Sequence, residues 1–402
     1  MNEFMEKQVK LTWHDPKKTY DVIIIGGGGH GLSTAYHLAT RHNITNVAVL
    51  ERSYIGGGNS GRNTTVIRAN YGIPEAVKFY QHSLERYSQL EEETGRWLMH
   101  KKKGIFWMAH SEADVRQEKA RAELNMAFGA KTRFITPKEI KEICPEIDIT
   151  GGGEWPVLGA SWHEDGATAR HDRVVWALAE GANRRGAHIH QRTEVLDLLK
   201  RGDRVIGVQT NHGPMYADTV VSAVGGHVTR IGNMAGLRLP IRTHPLQAYV
   251  TNHYEKTFDP IVASTSLLFY VSQTARGEML IGAEIDRQPS FSYRAGHNLI
   301  QNCSHRVTTL LPFMSKLRVL RQWTGLCDMS PDYSPIIGLT PIEGFLLSTG
   351  WGTWGFKAIP AGGEMLAKLI ATGETPALIA PFGLDRFFND RTMADRGSAG
   401  TH

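Results

Sequence analysis

Apolar and polar positions along this chain keep two rhythms, and the change from one to the other marks out its parts. Near the start an unbroken β-branched run, Val22 to Ile25, is too short for a helix and reads as a strand buried on both faces. Gly26, Gly28 and Gly31 follow in G-x-G-x-x-G spacing, then LSTAYHLAT with helical character, then a second run, Val47 to Leu50, closed by Glu51. Strand, glycine turn, helix, strand and terminal acid make a complete βαβ unit. Glycine at the turn lets a pyrophosphate approach the bare N–H groups of the helix start. Glu51, twenty positions after Gly31, is placed to accept hydrogen bonds from an adenosine ribose. A dinucleotide site is the expectation.

The helical rhythm returns from Glu75, where Val77, Tyr80, Leu84 and Tyr87 form one stripe. Ile105 to Met108 reads as a strand, Ser111 to Phe128 and Pro137 to Ile143 as helices. A further helix starts near His171 and Asp172 and buries Val174, Val175, Leu178 and Ala182. A β-meander turns at Arg201-Gly202-Asp203, and Tyr216 to Val221 runs into Ala223-Val224-Gly225-Gly226, a second backbone loop expected near the cofactor. From Pro240 to about Leu320 the period drops to two (HPLQAYV, SLLFYVSQ, GEMLIGAEID), the pattern of antiparallel strands, with a helix between Ala295 and Leu311. Asp328 to Gly338 reads as a proline-broken loop. GFLLSTGWGTWGFKAIPAGGEMLAKLIATG reads as strand, glycine-aromatic loop and helix, with Lys357 just ahead of the helix.

The expected fold is therefore α/β: a Rossmann-like FAD-binding domain (20–95, 156–236, 328–388) interleaved with an antiparallel-sheet α+β substrate domain (96–155, 237–327). An N-terminal extension (1–19) and a C-terminal tail (389–402) flank them. Composition agrees with a globular protein of 402 residues, 41% hydrophobic and 21% charged. The formal charge of +5 is spread along the chain apart from Lys101 to Lys103, which argues against nucleic-acid binding. Cys144, Cys303 and Cys327 are far apart and lack metal-ligand spacing, so a reduced, cytoplasmic protein is expected. No apolar run approaches a membrane span, and the N-terminal extension is expected to pack on a partner.

The chemistry concentrates in two glycine-rich loops. RSYIGGGNSGRNTTVIRANYG brings Gly58, Asn59, Ser60 and Asn63 back to the dinucleotide, an insertion that suits the pyrophosphate and ring edge of a flavin better than a nicotinamide, and Arg68 and Tyr71 close it. In the C-terminal loop Gly350, Gly352 and Gly355 permit close backbone approach. A cation such as Lys357 beside a helix start is unfavourable by some tenths of a kcal/mol, so an anion is expected there, either a substrate carboxylate or the reduced flavin. His163, His171, His188 and His190 lack the carboxylate spacing of a metal site, and no metal is expected.

Over Tyr20 to Phe388 the chain resembles the amine-oxidising flavoproteins of the D-amino-acid oxidase and sarcosine oxidase family, and within it the β subunits of heterotetrameric sarcosine oxidases. The likeness rests on YDVIIIGGGGHGLSTAYHLA, GGGNSGRNTTVIRANY, PVLGA, ARHDRVVWA, LPIRTHPLQA, PIIGLTP, GWGTWGFKAIP and APFGLDRF. It implies noncovalent FAD, a second flavin, FMN, bonded to His171, and α, γ and δ partner subunits, with tetrahydrofolate a possible acceptor in the complex. By position alone His171 reads as a residue at a helix start. The resemblance also implies carboxylate-binding roles for Arg68 and Lys357 and an active-site role for Tyr71. The implied reaction is oxidative demethylation of sarcosine. Oxidation of dimethylglycine, proline or an opine remains open, as does a nonenzymatic FAD-holding scaffold.

Overall fold

The computed structural model describes residues 9–393. Strand β1 (Thr19–Ile25), helix α1 (Gly29–Arg41) and strand β2 (Val47–Glu51) form the expected βαβ unit. β1 and β2 run parallel, with Val22 opposite Val47 and Ile25 opposite Leu50. Gly213–Ser222 lies parallel on the other edge of β1, and His188–Gln191 and Phe345–Thr349 extend the parallel core of an eight-stranded sheet. Val22, Ile24, Val47 and Val49 face one core, shared with α1 and the helices His171–Arg184 and Gly355–Thr372. Ile23, Ile25, Ala48 and Leu50 face another, under the meander and the helix Val228–Ala235. Both faces are covered, which is why these strands read as continuous apolar runs.

The second eight-stranded sheet runs in the order Val319–Met329, Arg242–His253, Glu278–Ile285, Phe269–Gln273, Ile261–Ser264, Ile105–Ala109, Gly159–His163, Thr132–Ile135. Two of its features differ from expectation. Ile261–Ser264 pairs parallel with Ile105–Ala109, because strands from two separate excursions of the chain meet there. Gly159–His163, expected from 156 onward in the nucleotide unit, pairs antiparallel with Ile105–Ala109 and Thr132–Ile135 instead. The chain re-enters the first sheet's layers with the helix His171–Arg184, whose Val174 and Leu178 are fully buried.

The described part of the N-terminal extension packs on this chain itself. Thr12 and Asn183 exchange N–H···O and amide bonds of 2.7 and 3.0 Å, and the His14 ring stacks on His188 at 4.1 Å. Residues 1–8 of the extension and 394–402 of the tail lie outside the described residues. No helix among those described is long and apolar enough to cross a membrane.

Candidate active site

One long cavity of about 430 Å³ lies between the two sheets. At one end its wall is backbone. Gly26 holds φ +113°, and a β-carbon there would run into the Ala223 carbonyl; a β-carbon on Gly31 would run into the Gly26 carbonyl, so α1 can start this close to β1 only with glycine. Gly31 thus serves packing and does not itself line the cavity, whereas Gly26, Gly28, Gly29 and Gly58 do. α1 begins with no acidic residue in its first turn and no side-chain cap, which leaves its positive end for an anion. Glu51 lies alongside, its carboxylate accepting from the N–H of Gly27 (3.0 Å) and of Ser53 (2.8 Å). Ser60 Oγ accepts the Gly29 N–H (2.9 Å), and Asn59 makes two bonds to the Leu326 backbone, tying the loop to the second sheet. Asn63 lines the cavity while its Oδ1 caps the Thr65 N–H (2.5 Å). This cradle of glycine backbone, an open helix start and a ribose-height carboxylate fits the adenosine diphosphate part of FAD.

At the other end the wall is side chain. The helix Gly355–Thr372 points its own N-terminus at the cavity, again without an acid in its first turn. His30, from α1, donates Nε2–H to the Gly355 carbonyl (2.9 Å) and stacks on Trp351 at 4.1 Å, so the two helix starts are pinned side by side. Burial lowers the His30 pKa to about 3, and the ring is neutral. Pro360 has no N–H for the Phe356 carbonyl; Tyr87 Oη donates to it instead (2.7 Å), and Ser83 Oγ donates to the Lys357 carbonyl (2.6 Å). This first turn is therefore held by hydroxyls of the helix Pro74–Thr94.

Lys357 sits inside that first turn, not ahead of the helix, and it is buried rather than solvated, with 7% of its surface exposed. Nζ donates to the Thr353 carbonyl (3.1 Å). Burial first, and then the charge of Arg68, holds its pKa well below the usual lysine range. Arg68 is also buried. Its Nη1 donates to Asn70 O (2.7 Å) and Oδ1 (3.1 Å), and its guanidinium lies between the rings of Tyr71 (4.2 Å) and Trp107 (4.9 Å). Two basic side chains, whose charged forms are expensive to bury, thus line one cavity. Gly352 and Gly355 line it with them; Gly352 holds φ +49°.

Tyr71 is placed otherwise than the sequence suggested. It is absent from the cavity wall and forms the platform beneath Arg68, fully buried and stacked on Tyr80 at 4.2 Å. His171 is likewise away from the cavity. It opens the helix His171–Arg184 on the outside of the nucleotide unit, next to the segment where Arg170 N–H bonds Leu98 O (2.9 Å) and Arg173 covers the half-exposed Trp97 ring at 5.0 Å. Burial lowers its pKa against the pull of Asp172, so the imidazole is neutral at pH 7.

Several site residues carry no motif. Asp328, read as the start of a loop, ends a strand; its buried carboxylate accepts from Thr349 Oγ1 (2.9 Å) and from the N–H of Gly350 (2.7 Å) and Trp351 (3.3 Å), fixing the loop that leads to Lys357. Trp107 and Tyr270 line the cavity from the second sheet. Glu118, behind Trp107, pairs with Arg121 (3.0 Å), accepts from Ser161 Oγ (2.6 Å) and feels the charge of Arg68. His163 accepts the Ala69 N–H at Nε2 (3.2 Å), which puts its proton on Nδ1 facing Lys131 O and Thr132; it is a neutral strut next to Arg68. His188 and His190 share the Tyr20 hydroxyl (3.2 and 3.0 Å). Among the described residues no group of side chains could hold a metal ion.

A glycine-walled nucleotide end in one cavity with buried Arg68 and Lys357 is the arrangement of a dinucleotide-dependent oxidoreductase. The model of the FAD-dependent oxidoreductase family matches residues 21–369. The chain is 41% identical to the sarcosine oxidase subunit beta of an Arthrobacter species over 99% of both chains, and 40% identical to that of Rhodobacter capsulatus over 96% of this chain and 93% of that one. Among solved structures, L-proline dehydrogenase from P. horikoshii superimposes with a TM-score of 0.88 at 30% identity, covering 93% of this chain and 99% of that one. The chain therefore belongs to the FAD-dependent oxidoreductases and, within them, to the family of sarcosine oxidase β subunits; it is a flavin amine oxidoreductase.

Proposed function

We propose that this chain is the sarcosine-oxidising β subunit of a heteromeric enzyme, converting sarcosine to glycine with formaldehyde or methylenetetrahydrofolate and hydrogen peroxide as the other products. The observation that carries the reading is that buried Arg68 and Lys357, near enough for the charge of one to act on the other, line the same cavity as the glycine cradle. A secondary amino acid must have its carboxylate fixed before its N-methyl C–H can face an acceptor, and a guanidinium with an ammonium supplies that clamp. FAD, when bound, supplies the two-electron acceptor for that C–H bond. This chain's residues bind, orient and exclude water. Arg68 turns the carboxylate inward from its Tyr71 platform, Asp328 keeps the 349–352 backbone in place, and Trp107 and Tyr270 shut out solvent. An arriving carboxylate favours the ammonium form of Lys357, so Nζ takes up a proton as substrate binds.

FMN on His171 belongs to the same reading. A neutral imidazole between Arg170, which pairs with Asp172, and Arg173, which lies over Trp97, has the nucleophilic nitrogen that bonding to a flavin calls for, with an aromatic ring and basic residues in the same segment. Lying outside the cavity, this patch suits a junction with the α subunit, in a cytoplasmic assembly that also contains γ and δ. Two measurements test the assignment. Anaerobic mixing with sarcosine, dimethylglycine, proline and an opine should bleach flavin fastest with sarcosine; faster bleaching by another amine replaces the substrate, and none by any supports a scaffold role. His171→Ala should abolish acid-stable flavin and slow oxygen turnover severely while FAD stays bound and reducible; flavin that remains acid-stable refutes the attachment.

A further inference from the structure

A second pocket of about 200 Å³, lined by Met108, Asp114, Gln117, Glu118, Thr265, Ser266 and Leu268, adjoins the main cavity and opens to solvent, with Gln117 and Ser266 exposed. Leu268 is the residue that the two linings have in common. It ends the turn joining Ile261–Ser264 to Phe269–Gln273, in which Ser264 pairs with Phe269. There Leu268 has φ +49°, a left-handed conformation that a β-carbon disfavours and that turns normally give to glycine or asparagine. The turn is nonetheless well fastened: Leu268 N–H reaches Thr265 O (3.2 Å), Leu267 N–H reaches Ser264 Oγ (3.2 Å), and Arg306 donates to Leu267 O (3.0 Å). A branched apolar side chain held at a costly φ between two cavities points to a use for the side chain itself.

We infer that Leu268 is a partition that sets the size limit for the group on the substrate nitrogen, and that the solvent-facing pocket behind it is a subsite for longer, polar N-substituents once the partition is removed. This rests on the reading of the main cavity as the site of a small secondary amino acid. With the carboxylate on Arg68 and Lys357, the N-substituent is the part left to point at another wall, and the lining of that end includes Trp107, Ala263, Leu268 and Tyr270. A methyl group fits in front of Leu268; a chain of three or more atoms needs the volume that Leu268 fills. Behind it the wall is polar. Glu118 is buried and paired with Arg121 and Ser161; the amide of Gln117 and the hydroxyls of Thr265 and Ser266, the latter bonded to Ser264 Oγ at 3.3 Å, suit a neutral polar tail, and Asp114 would repel a carboxylate.

The test uses the FAD-loaded complex and a series of alkoxyacetates, oxygen isosteres of N-alkylglycines that bind without turning over. Flavin absorbance changes give Kd for methoxyacetate, butoxyacetate and (3-hydroxypropoxy)acetate. In the unaltered protein butoxyacetate should bind at least thirtyfold more weakly than methoxyacetate. Leu268→Ala and Leu268→Gly should cut that ratio at least tenfold, with the hydroxylated tail gaining most, and Leu268→Met should leave it alone. Leu268→Gly should fold at least as well as the parent, since glycine suits the φ, which keeps the test open if the alanine variant is unstable. A ratio unchanged within threefold in the glycine variant, or an unaltered protein that binds both ethers alike, overturns the inference. Because no turnover is needed, the binding ratios decide the role of Leu268 even if sarcosine proves not to be the substrate.

Discussion

In the glycine cradle the cavity wall is main chain; around Arg68 and Lys357, where we propose the substrate binds, it is basic side chain, and the two parts meet water on different terms. Gly26, Gly28 and Gly29 present main chain without side chains at an uncapped helix start, features that cost little to leave facing water before a ligand arrives. Arg68, a guanidinium, and Lys357, an amine whose ammonium form burial disfavours, are kept out of water, with exposures of 3% and 7%. Such groups are tolerated only where the fold over-determines them, and here it does: Arg68 is held by Asn70 and two rings, Lys357 by Thr353 and by a helix start braced from Tyr87 and Ser83. The cofactor end is built for adhesion, the substrate end for discrimination.

The contrast breaks if charge matters at the wrong end. Reversing it at Glu51 should have the largest effect. Glu51→Arg removes the acceptor for Gly27 and Ser53 and faces the adenosine with a cation, and FAD affinity should fall on the order of a hundredfold, about 2.7 kcal/mol. Flavin content after gel filtration measures it; any flavin on His171 should survive. Full FAD occupancy would make Glu51 a strand-end charge.

Next in size comes the clamp. Losing one partner of a desolvated charge contact costs on the order of 2–5 kcal/mol, so Arg68→Ala should raise Kd for methoxyacetate at least about thirtyfold. FAD content should not change. A shift below threefold there and in Lys357→Ala would remove the carboxylate from this end.

How much of this could be read from the sequence follows the same division. Backbone recognition is local, so Gly26, Gly28 and Glu51, which line the cavity, and Gly31, which lets the helix pack, stand within one βαβ unit whose spacing is legible in the sequence. Side-chain recognition is assembled across the chain. Trp107 meets Ala263 through a parallel pairing of strands from two excursions, and Tyr270 lies opposite Ala263 on the next strand. Alternation along SLLFYVSQ gives the face of Tyr270 only once that pairing is known. Asp328 looks like loop in the sequence because its backbone lies next to Pro331, yet its strand runs to Met329. Tyr71 is ambiguous in the sequence because an aromatic three residues after Arg68 can stand beside it in the cavity or beneath it, and only its stack on Tyr80 and its tilted contact with Trp354 decide.

A smaller effect sharpens the contrast through pH. Burial and Arg68 favour neutral Lys357 in the free protein, and a bound carboxylate favours its ammonium, so its pKa rises on binding. Between the two pKa values binding takes up a proton, and Kd for methoxyacetate should rise with pH by at most about tenfold per unit, a slope that vanishes below the lower pKa. Calorimetry in buffers of different ionisation enthalpy counts the proton. In Lys357→Met both slope and uptake should disappear; a parent whose Kd is flat from pH 6 to 10 would mean that Lys357 stays in one form throughout.

The smallest effect expected is at Tyr71, where the two placements differ most plainly. If its hydroxyl touched substrate, Tyr71→Phe would lose a hydrogen bond in a dry site and cost on the order of 1–3 kcal/mol. The ring instead supports Arg68 at 4.2 Å from outside the cavity wall. Phenylalanine keeps that face, so kcat/KM for sarcosine should change less than about threefold. Tyr71→Leu removes the aromatic face but retains bulk. Cation–π contacts with a desolvated guanidinium contribute about 1–2 kcal/mol, so this variant should raise KM and the methoxyacetate Kd by about five- to thirtyfold with kcat largely kept. A platform predicts that split between the two variants. Equal losses in both, with kcat falling along with kcat/KM, would put the Tyr71 hydroxyl back among the reacting groups.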